Sequence, residues 1–364
     1  MILDFYICRR FLWLFLRVFG GFFAVMVAIG VLEELRRFSD NGITLRQAIT
    51  LSLLNAPASI YQILPLIMIL AAIGLFMGLA KSSELVVVRA SGRSGLRFLL
   101  APVATALLIG GFGVTAWNPI VAATSRAYDE MSSGQARGGS VLSVNEAGLW
   151  LRQGSASGQT VIQAGRANLD GTELFDVTFL TYGDTGVLEA RISGPNALLT
   201  EGAWVLPKAK TWSFATTNPE RQAKTDLIDL RVPTDLTRDK IADSFGTPRA
   251  VSVWDLPRYI KELERAGFSG LSHRMWFNVE LAAPAFLASM VLIAAGFTMR
   301  HARAGRSGPL ILMALLCGFL IFFLRNFGQV LGENDQIPVL LAAWSPPLVA
   351  ILLSVGLLLH LEDG

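Results

Sequence analysis

The chain has 364 residues, of which 52% are hydrophobic and 16% charged; soluble globular domains carry roughly 25% charge. The net charge is +3 with a pI near 9.0, but the Lys and Arg residues flank apolar runs instead of gathering on a polar face. This pattern argues for a membrane protein and against a nucleic-acid binder.

The first apolar run, Phe11–Leu32, follows Arg9 and Arg10 and carries Arg17 near its start, where a long side chain can snorkel to the interface. It is too long for a signal-peptide core and no small-residue cleavage site follows, so it reads as a retained span. Five more stretches reach the roughly 20 apolar residues that a spanning helix needs: Pro57–Ala80, Phe98–Trp117, Trp276–Met299, Pro309–Leu331 and Val339–Leu361. Pro57 and Pro65 predict a kink in the second. The two cysteines, Cys8 and Cys317, each lie in or beside an apolar run, which argues against a disulfide framework.

Basic residues set the expected orientation. One side holds Arg9 and Arg10, then Lys81, Arg89, Arg93 and Arg97, then Arg300, Arg303 and Arg306. The other holds a Glu33–Asn55 loop of mixed charge and the stretch 332–338, which has Glu333 and Asp335 but no Lys or Arg. The first side is expected to be cytoplasmic, with both termini. Residues from about Asn118 to Arg274 then lie outside the cytoplasm. They are rich in Gly, Thr and short alternating runs, such as Phe175-Asp-Val-Thr-Phe-Leu180, with turn signals at Asp170-Gly171 and Gly183-Asp-Thr-Gly186. Short strands at this spacing predict an antiparallel sandwich or jelly roll. Ser252–Gly267 has helical periodicity, with Ser252 or Asp255 as cap and Gly267 as stop. The fold class is therefore a polytopic α-helical membrane protein of about six transmembrane helices with an inserted extracytoplasmic β-jelly-roll domain. Its segments are an N-terminal membrane half (1–117), the β domain (118–250), a connecting helix (251–275) and a C-terminal membrane half (276–364).

Catalytic signatures are sparse. His273, His301 and His360 are scattered near span ends without metal-ligand spacing. Gly74-Leu-Phe-Met-Gly78-Leu-Ala-Lys81-Ser82 lacks the spacing and the preceding soluble strand of a phosphate loop. Three charged features remain. Glu33, Glu34, Arg36 and Arg37 sit at the outer end of the first span, with Arg46 near. They read either as a solvated helix end with local ion pairs or as a basic lip for lipid phosphates, which guanidinium forks suit. Arg325 lies in the fifth span, where an intramembrane Arg either faces a cavity, a partner or a headgroup, or snorkels to the outer interface. The polar insert Lys81–Ser94 interrupts two spans on the basic side. Ser82 or Ser83 can cap a short helix there, over about 82–92, with Glu84 in its first turn. The insert reads either as an ordinary cytoplasmic connector or as a coupling helix docking in a groove of a cytoplasmic ATPase, with Leu85, Val88 and Ala90 as apolar knobs and Glu84 and Arg89 as polar latches.

Ser83-Glu-Leu-Val-Val-Val-Arg-Ala-Ser-Gly-Arg-Ser94 and Pro57-Ala-Ser-Ile-Tyr-Gln-Ile-Leu-Pro65 resemble the corresponding segments of the lipopolysaccharide export permeases LptF and LptG. The opening Leu3-Asp-Phe-Tyr-Ile-Cys-Arg-Arg10 is similar to the family's amphipathic start, and the layout matches over the whole chain. The resemblance implies one permease half of an ABC transporter. Its partners would be an LptF-like permease, an LptB-like ATPase dimer, LptC- and LptA-like jelly-roll proteins, and lipopolysaccharide as cargo. No cofactor is expected in this chain, since the partner subunit binds ATP. The family's coupling glutamate falls on Glu84, with Leu85, Val88 and Arg89 beside it. The family's phosphate-facing basic residues fall near Arg36 and Arg37, to which Arg325 is added. Phe22, Phe319, Phe322 and Phe323 are candidates for an acyl-chain cavity lined by the first and fifth spans. Two alternatives stay open: a non-transporting scaffold whose β domain binds envelope proteins, and a polytopic enzyme acting on envelope lipids.

Overall fold

The structure is a computed structural model that describes residues 2–38, 43–82, 84, 95–133, 141–145, 148–155, 158–168, 171–183, 187–214, 223–234, 236–237, 248–265, 268–299 and 307–363. The chain divides into a membrane unit of Met1–Tyr128, Ser252–Trp254 and Arg274–Gly364, and a β unit of Asp129–Val251 and Asp255–His273. Among the described residues, six helices are long and apolar enough to cross a membrane.

In the membrane unit, α1 spans Ile2–Arg37. At about 1.5 Å per residue it is about 54 Å long, so it overreaches a hydrocarbon core of roughly 30 Å at both ends. The second helix, α2, runs over Leu45–Lys81. It starts twelve residues before the Pro57 expected from hydropathy because a capping box initiates it. The Thr44 hydroxyl accepts the Gln47 N–H, and the Gln47 side chain accepts the Thr44 N–H at 2.9 Å. The polar, mixed-charge sequence before Pro57 conceals this start, and Pro57 and Pro65 lie inside the helix. The third span is assembled from α3 (Gly95–Phe112), one wide π-turn at Gly113–Trp117, and α4 (Asn118–Ser133). At the turn the Asn118 N–H reaches back to the Gly113 carbonyl. The buried Asn118 side chain accepts the Val253 N–H at 2.8 Å, which ties the return of the chain to this turn.

The β unit is one antiparallel sheet: β1 (Val141–Asn145), β2 (Gly148–Ser155), β3 (Gly158–Ala164), β4 (Arg166–Ala167), β5 (Glu173–Tyr182), β6 (Leu188–Thr200), β7 (Ala203–Ser213) and β8 (Lys224–Pro233). Apart from β4, which pairs with β5, neighbours in sequence are neighbours in the sheet, so β1 and β8 are its edges. The turn from β6 to β7 is a two-residue connection in which Gly202 takes φ +75°, a conformation that favours glycine. Alternation places Leu149 and Leu151, Val177 and Phe179, and Trp204 and Leu206 on one buried face. Helix α5 (Leu256–Arg265) adds Leu263 to that core. The Asp255 carbonyl accepts its first intrahelical bond, from Tyr259, so Asp255 holds the cap position anticipated for it; Gly267 lies outside the described residues. The last three spans are α6 (Leu271–Thr298), α7 (Ser307–Glu333) and α8 (Val339–Asp363). The core of the membrane unit is built from Phe11, Ile60, Met68, Phe76, Phe286 and Met290 with their neighbours. Within it, α1 and α7 are the least buried of the six spans.

Candidate functional site

Three polar clusters sit on the membrane unit, each joining elements distant in sequence. The first lies where α2 ends. Arg10, from the first turns of α1, donates from Nη1 to both Glu84 carboxylate oxygens at 2.8 and 3.0 Å. The Ser82 hydroxyl donates to Oε1 at 2.6 Å, and Arg10 also donates to the Tyr6 hydroxyl at 2.8 Å. Burial alone would raise the Glu84 pKa. The hydrogen bonds from Ser82 and Arg10, together with the Arg10 charge, outweigh it and hold the carboxyl below its ordinary value. Glu84 is therefore ionised and fastened to α1. The pair is partly exposed, so it contributes little to stability; it sets where the connector leaves α2. Leu85, Val88 and Arg89 lie outside the described residues.

The second cluster is at the other end of α1. Consecutive helical residues point about 100° apart, and Arg36 and Arg37 have different surroundings. Arg37 donates to the Tyr128 hydroxyl at 3.1 Å and lies over the Phe38 ring. Tyr128 in turn donates to Glu34 at 2.7 Å. Glu34 is buried although it stands in a run of charges, so this chain of bonds fixes the end of α1 against α4. Arg36 faces outward, as does Arg46 in the first turn of α2. Arg36, Arg37 and Arg46 are thus all exposed, and Arg37 is held by a side-chain hydrogen bond to Tyr128.

The third cluster is inside the bundle. The Arg325 guanidinium, on α7, lies 5.2 Å from the centre of the Phe286 ring on α6. Close by, the Tyr61 hydroxyl on α2 donates to Glu280 on α6 at 2.5 Å, and the Arg325 charge acts on Tyr61. Glu280 is 1% exposed. Arg325 is half-buried and turned into the bundle, so it does not simply snorkel along the outside of α7. Of the aromatics, Phe22 and Phe322 pack against the membrane core. Phe319 and Phe323 are exposed and belong to an outward stripe with Leu316, Phe327 and Val330, in which Phe323 and Phe327 stack at 6.4 Å. Among the described residues, no group of three or more His, Cys, Asp or Glu is placed to hold a metal ion.

Arg10, Tyr61, Tyr128 and Glu280 were not among the residues that sequence reasoning singled out. Glu280 carries the same signal as Arg325, an ionisable residue inside an apolar span. The other three carry no local signal, because their partners are 74 to 219 residues away.

The family described as lipopolysaccharide export system permease LptF/LptG matches residues 5–360. The chain is 24% identical over 358 residues to the lipopolysaccharide export system permease protein LptG of Haemophilus influenzae, covering 95% of this chain and 97% of that one. It is 26% identical over 319 residues to the protein of the same name from Escherichia coli K12, covering 85% and 84%. The Ile60-Tyr-Gln-Ile-Leu-Pro65 pattern and the Arg89-Ala-Ser-Gly92 ending, read from the sequence alone, also lean to the LptG side of the family. Six apolar spans around an inserted antiparallel β domain, matched from residue 5 to residue 360, place the chain in the lipopolysaccharide export permease family LptF/LptG.

Proposed function

We propose that the chain is an LptG-type permease half of an ABC transporter that lifts lipopolysaccharide from the bacterial inner membrane towards a periplasmic bridge. The observation that carries this reading is the family match across both membrane halves and the β domain together. The distribution of Lys and Arg supports cytoplasmic termini and a periplasmic β domain. The poor burial of α1 and α7 supports a second, LptF-like half packed beside them, with the cargo's acyl chains between the halves. Phe319 and Phe323 would face that space, with Phe22 and Phe322 behind. Arg36 and Arg37, with Arg46 near, would receive lipid phosphates at the outer end of α1, and Arg325 would receive one deeper. The β domain would pass the lipid on by pairing its edge strand with an LptC- or LptA-like sheet.

ATP would be bound and hydrolysed by an LptB-like partner dimer, and the Lys81–Ser94 connector would be its handle. Leu85, Val88 and Arg89 would dock in the ATPase, while Glu84 has a different duty. Through Arg10 it ties the connector to α1, so a pull on the connector moves a cavity-lining helix as well as α2. The test is reconstitution of the complex with its ATPase in liposomes. Glu84→Ala and Arg10→Ala should each leave the ATPase bound and slow lipopolysaccharide release per ATP hydrolysed. Release at the unmodified rate in both variants would remove the clamp from the mechanism. In the same system, Arg36→Glu with Arg37→Glu should weaken photocrosslinking to lipopolysaccharide, and unaltered crosslinking would return those residues to a structural role.

A further inference from the structure

Two recesses meet at Arg9, near the N-terminal end of α1. One is an apolar groove of about 620 Å³ between α1, α2 and α3, running from Phe5 and Arg9 to Phe19 and Trp117. Phe5 to Phe19 covers about 21 Å of helix at 1.5 Å per residue, more than the roughly 15 Å that half of a bilayer's hydrocarbon core provides. Apart from Arg9, its polar side chains are turned to protein acceptors. The Thr105 hydroxyl donates to the Ala101 carbonyl, Tyr61 donates to Glu280, and the Trp117 indole donates to the Pro57 carbonyl. What the groove offers along its length is hydrocarbon. A helix is about 10–12 Å across, so one as long as the groove would displace on the order of 1,600 Å³ or more; this space fits a single flexible chain.

The other recess, about 490 Å³ between α1 and α2, is basic and is lined by Tyr6, Arg9, Arg10, Trp13 and Arg17. Gly74 and Gly78, one turn apart on α2, keep it open; a Cβ on Gly78 would sit 3.3 Å from Arg10 Nη2. Arg10 is occupied by Glu84, while no described carboxylate pairs with Arg9 or Arg17. Arg9 lines both recesses. A basic chamber alone suits any anion, and an apolar groove alone suits any chain. The two joined at Arg9 suit an amphiphile with an anionic head, as basic pockets between spanning helices do elsewhere.

We propose that this composite site binds one anionic glycerophospholipid, with its phosphate on Arg9 and Arg17 and one acyl chain in the groove. The lipid comes from the leaflet at the N-terminal end of α1, which is cytoplasmic in the orientation proposed above. The site is therefore at the opposite end of α1 from the lip assigned to the cargo. Arg10 lines the basic recess, so the lipid head sits against the clamp that holds Glu84.

The test uses the assembled transporter in nanodiscs of phosphatidylcholine with a minority of phosphatidylglycerol. A photoreactive benzoylphenylalanine replaces Leu108 at the groove wall or, as a control, Leu352, an exposed residue of α8. Adducts at Leu108 should be phospholipid. They should be enriched in phosphatidylglycerol by at least about five-fold over the control position, the effect of one cation on an anionic headgroup. Arg9→Gln with Arg17→Gln should erase the enrichment, and Arg9→Lys with Arg17→Lys should retain it. Equal lipid composition at both positions, or enrichment that survives the Gln variants, overturns the assignment. So does a polypeptide adduct, which would mean that a partner subunit covers the groove, or an adduct to lipopolysaccharide, which would mean that the cargo occupies it. Because no lipopolysaccharide transport is measured, the outcome is separable from that of the coupling test.

Discussion

Gly110 and Gly111 are neighbours on α3 with opposite surroundings. A Cβ added at Gly110 would lie 2.5 Å from the Pro284 Cα on α6, 3.0 Å from its Cβ and 3.2 Å from its nitrogen; at Gly111 it would meet nothing within 4 Å. Carbon atoms rest at about 3.5–4.0 Å, so Gly110→Ala must move α3 and α6 apart by about 1 Å. The obstacle is backbone and a proline ring, which has no rotamer to yield. Overpacking of this kind costs about 1–3 kcal/mol, and the upper end applies here. Both substitutions also gain the roughly 1 kcal/mol by which Ala exceeds Gly in a helix. That gain cancels when the two variants are compared, and the overpacking remains. We expect Gly110→Ala to destabilise the membrane unit by about 2 kcal/mol and Gly111→Ala to leave it unchanged or stabilise it by up to about 1 kcal/mol. Cys8 and Cys317 are the chain's only cysteines and both belong to the membrane unit. A thiol-reactive dye therefore follows the melting of this unit without a signal from the β unit. At roughly 2–4 °C per kcal/mol for a unit of this size, the two melting temperatures should differ by about 4–12 °C, with Gly110→Ala the lower. Equal shifts in the two variants would refute the tight approach of α3 to α6.

Three other expectations rest on separate observations. Tyr61→Phe keeps the ring and removes the donor to Glu280. Hydrogen bonds to charged groups contribute about 1.5–3 kcal/mol in soluble proteins, but side-chain pairs within membranes average nearer 0.6 kcal/mol, so the same dye assay should show a loss of about 1–2 kcal/mol; no loss would mean that water replaces the hydroxyl. The depressed pKa of Glu84 has a definite sign. Its clamp is fully formed above the ordinary carboxylate value of 4.5 and is lost as pH falls through the lower folded value. A nitroxide on Lys81→Cys should keep one mobility from neutral pH down to that ordinary value and loosen only below it. Loosening near neutral pH would contradict the geometry around Glu84. In the β unit, Trp204 is fully buried and meets Phe179 edge-to-face at 6.5 Å. Trp204→Ala should cost about 3–5 kcal/mol, read as lost hydrogen-exchange protection in β5 and β7, and protection that survives would show that the core closes over the gap.

The bilayer explains why so much of this fold is legible in one dimension. A span must be apolar for some 20 residues and must satisfy its backbone internally, so each apolar run announces a helix wherever its neighbours are. Alternation does the same for a half-buried strand, as at Val177 and Phe179. What hydropathy hides is where a helix begins in polar sequence: Thr44 and Gln47 start α2 inside a stretch that composition reads as loop. The clusters are hidden for a different reason. Arg10 finds Glu84 across 74 residues and Tyr61 finds Glu280 across 219, and nothing local foretells either pairing. For Arg325 the hidden partners change the chemistry. Read alone, an arginine within a span is a charge in search of a phosphate. In the structure it stands over Phe286 beside a tyrosine bonded to a buried carboxylate, so part of its desolvation is already offset within the chain. A lipid phosphate reaching Arg325 has to compete with this environment, whereas one reaching Arg36 meets an exposed guanidinium. Under the proposed function, Arg36 would therefore be the easier of the two to reach, and a phosphate at Arg325 would first have to offset its contacts with Phe286 and the Tyr61–Glu280 pair.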